Sequence, residues 1–412
     1  MVRIEPFKGL RPRKDIVQLV ASPPYDVLNK KEAKELASGN DYSFLHIIKP
    51  EIDLPDTIDA YSDQVYEKAK SNFDRFIKEN ILIQDKKNHF YIYKQIWDEH
   101  TQVGIVASAS VQNYEDNIIK KHEFTRENKE IDRMRHIEIL NANTGPVFLT
   151  FKQNDRIENL INKAMEQEPE YKFQSQDTVI HIFYVVHDPE LIQRIQFEFS
   201  KLNTIYVADG HHRSAAATRI KQMRQSRNKT YTGNEEYNFF LSVIFPHNQM
   251  KILAYNRVVK DLNHQNKAEL FHKISKNFSF QETEIKTPRN PHEFCLYIEG
   301  KWYQLKAESH TFNAEDPVES LDVSILQKNL LNPILDIKDP RTDNRIAFVG
   351  GIRGSEELEK KVNSGDYQIG FSLFPTSIGQ LFRVADSGNV MPPKSTWFEP
   401  KLKSGLVVHL LD

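Results

Sequence analysis

The stretch that most constrains this chain is a short apolar run, Thr204-Ile205-Tyr206-Val207-Ala208. It passes through Asp209-Gly210-His211-His212-Arg213 into the alanine-rich Ser214-Ala215-Ala216-Ala217-Thr218-Arg219-Ile220. β-Branched apolar residues over so few positions predict a buried strand, and the alanines predict a helix. The polar block between them is therefore a strand-to-helix turn. Backbone N–H groups at the start of a helix have no intrahelical acceptor, and the helix dipole makes the spot electropositive, so an anion is expected there. Gly210 permits a close backbone approach or a positive φ, and Arg213 offers a planar fork for phosphate or carboxylate oxygens. Asp209 by itself would serve as a helix cap, and the histidines as half-exposed turn residues. Two imidazoles and a guanidinium add nothing to capping or helix propensity, which points to chemistry.

A chain of 412 residues is long enough for two or more domains, each with its own core. With 39% hydrophobic and 27% charged residues, 25 Phe and 16 Tyr, it is a folded globular chain, not a disordered one. A formal net charge of -2 argues against a nucleic-acid footprint spread over the whole surface. The single cysteine, Cys295, stands in the apolar run Phe294-Cys295-Leu296-Tyr297-Ile298, so no intramolecular disulfide or cysteine-based zinc site can form. A buried structural thiol is expected. The first residues lack the apolar core of a signal peptide, and no run approaches the ~20 apolar residues of a membrane span. A cytoplasmic chain with no membrane partner is the expectation.

The alternation of strand-like and helix-like segments predicts an α+β (mixed α/β) fold. Near the N-terminus, residues 17–21 read as a strand stopped by Ser22-Pro23-Pro24-Tyr25-Asp26-Val27, followed by a helix over about 30–37 with Asn29 as its cap. A longer amphipathic helix is expected over about 56–80, with Ile58, Tyr61, Val65, Ala69, Phe73, Phe76 and Ile77 facing a core. Residues 90–97 and 102–109 read as a hairpin, with further strands at 147–151, 179–186 and 238–245. The polar stretch 282–292 is the best boundary candidate. It divides the chain into a core over 1–281, carrying an insertion at about 50–200, and a C-terminal α/β region over 282–412 with a docked tail.

Three other segments hold more functional groups than local structure requires. Ser22-Pro23-Pro24-Tyr25-Asp26 holds a tyrosine and a carboxylate on a rigid turn, which is also what an ordinary proline turn looks like. Lys120-Lys121-His122-Glu123-Phe124-Thr125-Arg126, continuing to Asp132-Arg133, alternates cations and carboxylates. A solvated, salt-bridged helix accounts for it equally, although His122, Glu123 and Arg126 have few apolar neighbours. Val390-Met391-Pro392-Pro393-Lys394-Ser395-Thr396-Trp397-Phe398-Glu399-Pro400-Lys401 is a stiff, aromatic stretch near the C-terminus that reads as docked, with Lys394 offered to an anion. Adjacent histidines are poorly spaced to share one metal ion, so Mg²⁺ on Asp209 or Glu123 with substrate phosphates fits better. There is no Walker-type loop. Val349-Gly350-Gly351-Ile352-Arg353-Gly354 is a weaker phosphate-loop candidate that a sharp strand-to-helix turn explains as well.

These segments carry a resemblance. Ser-Pro-Pro-Tyr-Asp-Val, Lys-Lys-His-Glu-x-Thr-Arg, Asn-x-Gly-Pro-Val, Ala-Asp-Gly-His-His-Arg, Leu-Asp-Val-Ser-Ile-Leu-Gln and Met-Pro-Pro-Lys-Ser-Thr-Trp-Phe-Glu-Pro-Lys are similar over essentially the whole chain to a bacterial family known only as a domain of unknown function. Members are often encoded beside phosphoserine aminotransferase and phosphoglycerate dehydrogenase, which implies a link to serine metabolism. The Asp-Gly-His-His-Arg turn also resembles the phosphate-handling turn of free-serine kinases with the ParB/sulfiredoxin-like fold, and implies such a core with large insertions. By position, Asp26 is the nearest counterpart of that family's N-terminal catalytic carboxylate, although its local motif differs.

The resemblance implies a phosphotransferase that moves a phosphoryl group between serine and ATP, ADP or pyrophosphate. Phosphoryl transfer needs positioning and charge neutralisation more than covalent chemistry. Gly210, His211, His212 and Arg213 would cradle the phosphate, with His122, Arg126, Lys394, Ser395, Thr396 and Tyr25 around the substrate. Asp209, Asp26 or Glu123 would take the hydroxyl proton or hold Mg²⁺. The expected partner is a small molecule, serine or phosphoserine. A phosphoserine phosphatase and a non-enzymatic nucleotide-binding regulator are the alternatives.

Overall fold

Long apolar runs pair early along the chain. In the computed structural model, which describes all 412 residues, Phe90–Trp97 and His100–Ser110 form an antiparallel hairpin. Its two-residue turn holds Asp98 at φ 51. This hairpin lies inside a nine-stranded mixed sheet. Along the main path the order is Ile119–Lys120, Ile205–Asp209, Val147–Phe151, Phe239–Pro246, His100–Ser110, Phe90–Trp97, Ile180–Val186 and Tyr171–Gln174, with Ile4–Glu5 paired on His100–Ser110. The fold is mixed α/β, as the alternating pattern requires. The segment expected as an insertion supplies both partners of Phe239–Pro246, so it is part of the sheet's middle.

The helices cover the sheet with apolar faces at helical spacing. Ile157, Leu160, Ile161 and Ala164 from Asp155–Ala164, and Leu191, Ile195 and Phe199 from Pro189–Ser200, pack into one core with Ile92, Ile105, Leu149 and Ile205. A second core gathers Ile16, Val20, Phe44, Ile47, Phe73 and Phe76 with Val408 from the C-terminal end. Two sequence expectations change here. Residues 17–20 form a helix instead of a strand, because Ile16, Val17 and Val20 are buried while Gln18 and Leu19 face outward, a spacing of one helical turn. The helix expected over 56–80 spans Asp63–Lys78. Tyr61 is exposed before it, its N–H donating to the Asp59 carboxylate at 2.7 Å in a local turn that competes with the helix.

The chain divides into two compact units. The first comprises 1–121, 125–250 and 400–412, and the second 122–124 and 251–399. The division falls at 250/251 and not at 281/282. The reason is strand pairing: Tyr255–Val259 and Phe278–Thr283 belong to an antiparallel six-stranded sheet with Glu293–Ile298, Lys301–Ala307, Ile346–Gly350 and Ile369–Leu373. Cys295 lies in that unit's core with Val258, Trp302 and Leu358, and burial pushes its thiol up to about 12. It is the inert thiol the sequence implied. The glycines of the 349–354 loop are explained by packing: a Cβ on Gly350 would meet the Trp397 ring at 2.8 Å, and one on Gly351 the Ala254 carbonyl oxygen at 2.6 Å. No helix is long and apolar enough to cross a membrane.

The last residues are woven into the first unit. Ser404 bridges Ser22, Val408 bridges Leu10, and His409–Leu410 pairs with Ala142–Asn143. Gly405 takes φ +86, and a Cβ there would lie 2.7 Å from Phe44. Gly405→Ala therefore lowers stability by about 2 kcal/mol. A urea midpoint equal to that of the wild type would show that the tail is not docked this way.

Two buried histidines set an acid limit. His136 has its Nε2 2.9 Å from the Ile47 carbonyl oxygen, and burial, aided by Arg133, lowers its pKa to about 4. His181 stands between Tyr93 and Ser175, each contact at 2.7 Å, and burial, aided by Lys403, lowers its pKa to about 3. Both folded values lie below the unfolded value of about 6.5, so the unfolded chain binds more protons between them. Stability is complete above pH 6.5 and falls as the pH drops toward 4, by about 3 kcal/mol for each histidine. His136→Gln removes its share of that slope in denaturation curves measured from pH 7 to pH 4.

Candidate functional site

The Asp209 turn is shaped by a break in strand pairing. Ile205–Asp209 runs antiparallel to Val147–Phe151, with Tyr206 opposite Thr150 and Val207 opposite Leu149. The register then shifts, so that Asp209 lies opposite Phe148. The extra residue, Ala208, bends the strand end and re-aims the next side chain. Gly210 follows at φ +100, where a Cβ would lie 3.3 Å from both the Val147 Cα and the Arg213 guanidinium. Only glycine fits. The helix His211–Arg227 starts immediately after it.

Four charged groups of the first unit converge on this turn. Lys401 Nζ donates to Asp209 Oδ2 at 3.0 Å, and Arg213 Nη2 donates to Asp26 Oδ2 at 3.5 Å. Arg213 Nη1 donates to the Pro146 carbonyl in the Asn143-Thr144-Gly145-Pro146 loop. Burial opposes ionisation of Asp209, but Lys401 and Arg213 outweigh it and hold the carboxyl well below the usual carboxylate range. The charge at the helix N-terminus is thus a carboxylate built into the chain and matched by two cations.

Beside the turn, Tyr25 stacks under the Arg133 guanidinium at 4.0 Å. Burial, reinforced by Asp26, pushes the Tyr25 phenol up to about 12, so it stays a hydroxyl donor at neutral pH. Arg133 is held by the Asp132 carboxylate at 2.9 and 3.0 Å, and Asp132 also accepts from Tyr66 Oη at 2.8 Å. A cavity of about 30 Å³ lies between Tyr25, Arg133, Thr144, Gly145, Arg213 and Ser404. That is room for a water or a carboxylate-sized group. The helix carrying Arg133, Glu127–Leu140, packs on His211–Arg227 through Ile137, Ala216 and Ile220. Arg219–Glu130 and Arg224–Glu138 ion pairs, at 2.7 and 2.9 Å, lock the two together.

The structure sorts the expected residues. Tyr25, Asp26, Asp209, Gly210 and Arg213 lie together around the turn, and His211 is buried at the helix start. His212 is tied differently from a phosphate donor: its Nε2 accepts the Arg126 N–H at 3.1 Å, so that nitrogen carries no proton and fixes the loop before Glu127–Leu140. His122, Glu123, Lys394, Ser395 and Thr396 all fall in the second unit. There the His122 carbonyl accepts from Met391 N at 2.8 Å, and Ser395 Oγ donates to the Pro392 carbonyl at 2.6 Å. The tail cation that reaches Asp209 is Lys401.

Lys401 was visible in the Glu399-Pro400-Lys401 run, but nothing local distinguishes two lysines seven residues apart. What selects it is a pair of buried glutamines placed by hairpin register. Gln95 lies opposite Gln102, and its Nε2 donates to the Lys401 carbonyl at 3.0 Å. Arg133 was equally visible in its charged run, and its aromatic partner is 108 positions away. If Lys401 sets the state of Asp209, Lys401→Met raises the Asp209 pKa by about 1–3 units. A ¹³C titration of the carboxyl reads this directly. An unmoved titration would remove Lys401 from the site.

Comparisons with known proteins agree with the sequence at the level of family. No protein of curated function matches the chain. Among solved structures it is similar to a free serine kinase in complex with AMP, at 13% identity and a TM-score of 0.37, over 73% of this chain and 91% of that one. It is also similar to SbnI with a C-terminal truncation from Staphylococcus aureus, at 9% identity and a TM-score of 0.37, over 73% and 86%. A conserved hypothetical protein from Pyrococcus furiosus is similar at 13% identity and a TM-score of 0.35, over 73% and 93%. The family model described as "Protein of unknown function (DUF1015)" matches residues 4–324, and the chain belongs to that family.

Proposed function

We propose that this protein is a phosphotransferase acting on free serine or phosphoserine, with a nucleotide or pyrophosphate as phosphoryl partner. The observation that carries the reading is the turn at 209–213. A glycine-only strand end and a helix N-terminus stand beside a carboxylate clamped between Lys401 and Arg213, with a second carboxylate, Asp26, on the far side of the arginine. Serine as the substrate rests on the motif resemblance.

Each group then has a role set by its surroundings. Arg213 and the helix N-terminus face the charge on the transferring phosphoryl group. Asp209, held strongly ionised, is a poor proton acceptor and serves to fix Lys401 and Arg213. The proton of the serine hydroxyl therefore goes to Asp26, which is exposed and contacts only the arginine edge. Tyr25, protonated at neutral pH, donates to substrate oxygen. His211 closes the turn, and His212 positions Arg126. Asp209 would be the residue to hold Mg²⁺ beside the substrate phosphates, where the ion would supply neutralisation of phosphate charge.

The test incubates the full chain with serine or phosphoserine and ATP, ADP, CTP or pyrophosphate, and follows ³¹P by NMR. New phosphoserine, or its loss with capture of the phosphoryl group by the acceptor, supports the reading. Asp26→Asn then lowers kcat by about 10²–10⁴-fold, His212→Ala abolishes turnover with little loss of stability, and Asp209→Asn abolishes it while also loosening the tail that Lys401 anchors. Free phosphate formed without an acceptor makes the protein a phosphatase, and nucleotide binding without turnover makes it a regulator. Either result overturns the proposal, as do near-normal rates in the variants.

A further inference from the structure

Arg257 is a buried cation with no anion. It lies in Tyr255–Val259, between Ile346–Gly350 and Ile369–Leu373, and is 3% exposed. Its neighbour Val258 enters the core around Cys295, so Arg257 points to the opposite sheet face, level with Phe348 and Phe371. The guanidinium sits 5.3 Å from the Phe348 ring centre. Its hydrogen bonds go only to carbonyls, from Nη1 to Tyr255 and from Nη2 to Lys394 at 3.1 Å.

Other sequestered arginines are treated differently. Arg11 is paired with Asp85, Arg133 with Asp132 and Arg213 with Asp26. A buried charge without a counter-ion is strongly unfavourable, and two carbonyls occupy only two of the five guanidinium N–H donors. Burial, offset only by Tyr255, lowers the pKa of Arg257 to about 10, which leaves it charged at neutral pH.

The loop over this arginine brings a second cation. Lys394 is exposed, with Nζ 5.5 Å from the Tyr255 ring centre, and Tyr255 packs edge-on against Phe348 and Trp397 at 6.0 and 5.0 Å. Its backbone is held at φ 59, an uncommon conformation for a lysine, with its carbonyl turned to Arg257. Ser395 Oγ to Pro392 at 2.6 Å, and Thr376 Oγ1 to the Ser395 carbonyl at 2.8 Å, fix the loop in that shape.

We propose that Arg257 and Lys394 form an anion site in the second unit that takes a phosphate group. Arg257, which no motif singled out, anchors this site, and the site lies beyond the phosphotransferase reading. A planar donor fork beside a flexible ammonium suits tetrahedral phosphate oxygens, and an aromatic wall strengthens the attraction by excluding water.

Inorganic phosphate, pyrophosphate and O-phosphoserine are titrated into the full chain by calorimetry, with chloride at matched ionic strength as control. Saturable binding of at least one is expected, weakened about tenfold or more in Arg257→Gln and several-fold in Lys394→Met. Which of the three binds tightest identifies the source of the phosphate group. The same anion raises the thermal midpoint of the wild type and not that of Arg257→Gln. Lys394 is exposed, so Lys394→Met retains the fold and gives the answer if Arg257→Gln does not fold. Arg213→Met is the control that separates binding at the 209–213 turn. No saturable binding, affinity unchanged in both second-unit variants, or equal stabilisation by chloride overturns the site. Phosphate binding lost in Arg257→Gln, in a protein with no turnover, supports this site while sinking the phosphotransferase reading. Turnover abolished by Asp26→Asn, with phosphate affinity indifferent to Arg257, does the reverse.

Discussion

Asp209 can remain ionised at the end of a buried strand only because Lys401 and Arg213 are brought against it. Desolvation alone would protonate it, and a neutral carboxyl would neither anchor the lysine nor orient the arginine. The strand break at Ala208 aims the carboxylate, and Gly210 removes the side chain that would collide with Val147 and Arg213. The hairpin glutamines then place the lysine. The same ion pair draws the last thirteen residues into the first unit, where Ser404 and Val408 bridge the N-terminal segment.

Charge in the first unit is matched group by group. Arg133 lies on Asp132, Arg213 on Asp26, and Lys401 on Asp209, so most of the site's charges are compensated inside the chain. Its buried histidines are the opposite case. His136 and His181 are held neutral by desolvation and by a neighbouring cation, so they contribute shape and hydrogen bonds without charge. Arg257 in the second unit follows neither pattern, being charged, buried and bonded only to carbonyls. That departure from the protein's own rule is what makes it a candidate for binding something from outside.

Much of the architecture was legible because it is written at short range. The 90–110 hairpin, the Ala-rich helix after Arg213 and the buried state of Cys295 follow from periodicity and composition. Short-range rules also misled. Val17 to Ala21 reads as a strand, yet one turn of helix places Val20 with Ile16 in one core, so tertiary burial overrode propensity. Tyr61 and Ile77 carried helical spacing but ended outside the core, because spacing specifies a face and not whether anything covers it.

The sequence by itself determined the chemistry available at the turn. An aspartate, a glycine and an arginine at the junction of a strand and a helix are fixed by neighbours within a dozen residues. Which distant groups join them was decided only by the tertiary structure. Asp26 reaches Arg213 across 187 positions of chain and Lys401 reaches Asp209 across 192. Such pairs are set by strand register, by the break at Ala208 and by the tail's bridges to the N-terminal segment. None of these leaves a periodic trace in the residues themselves, and for that reason one lysine of the tail could not be told from another until the chain was folded.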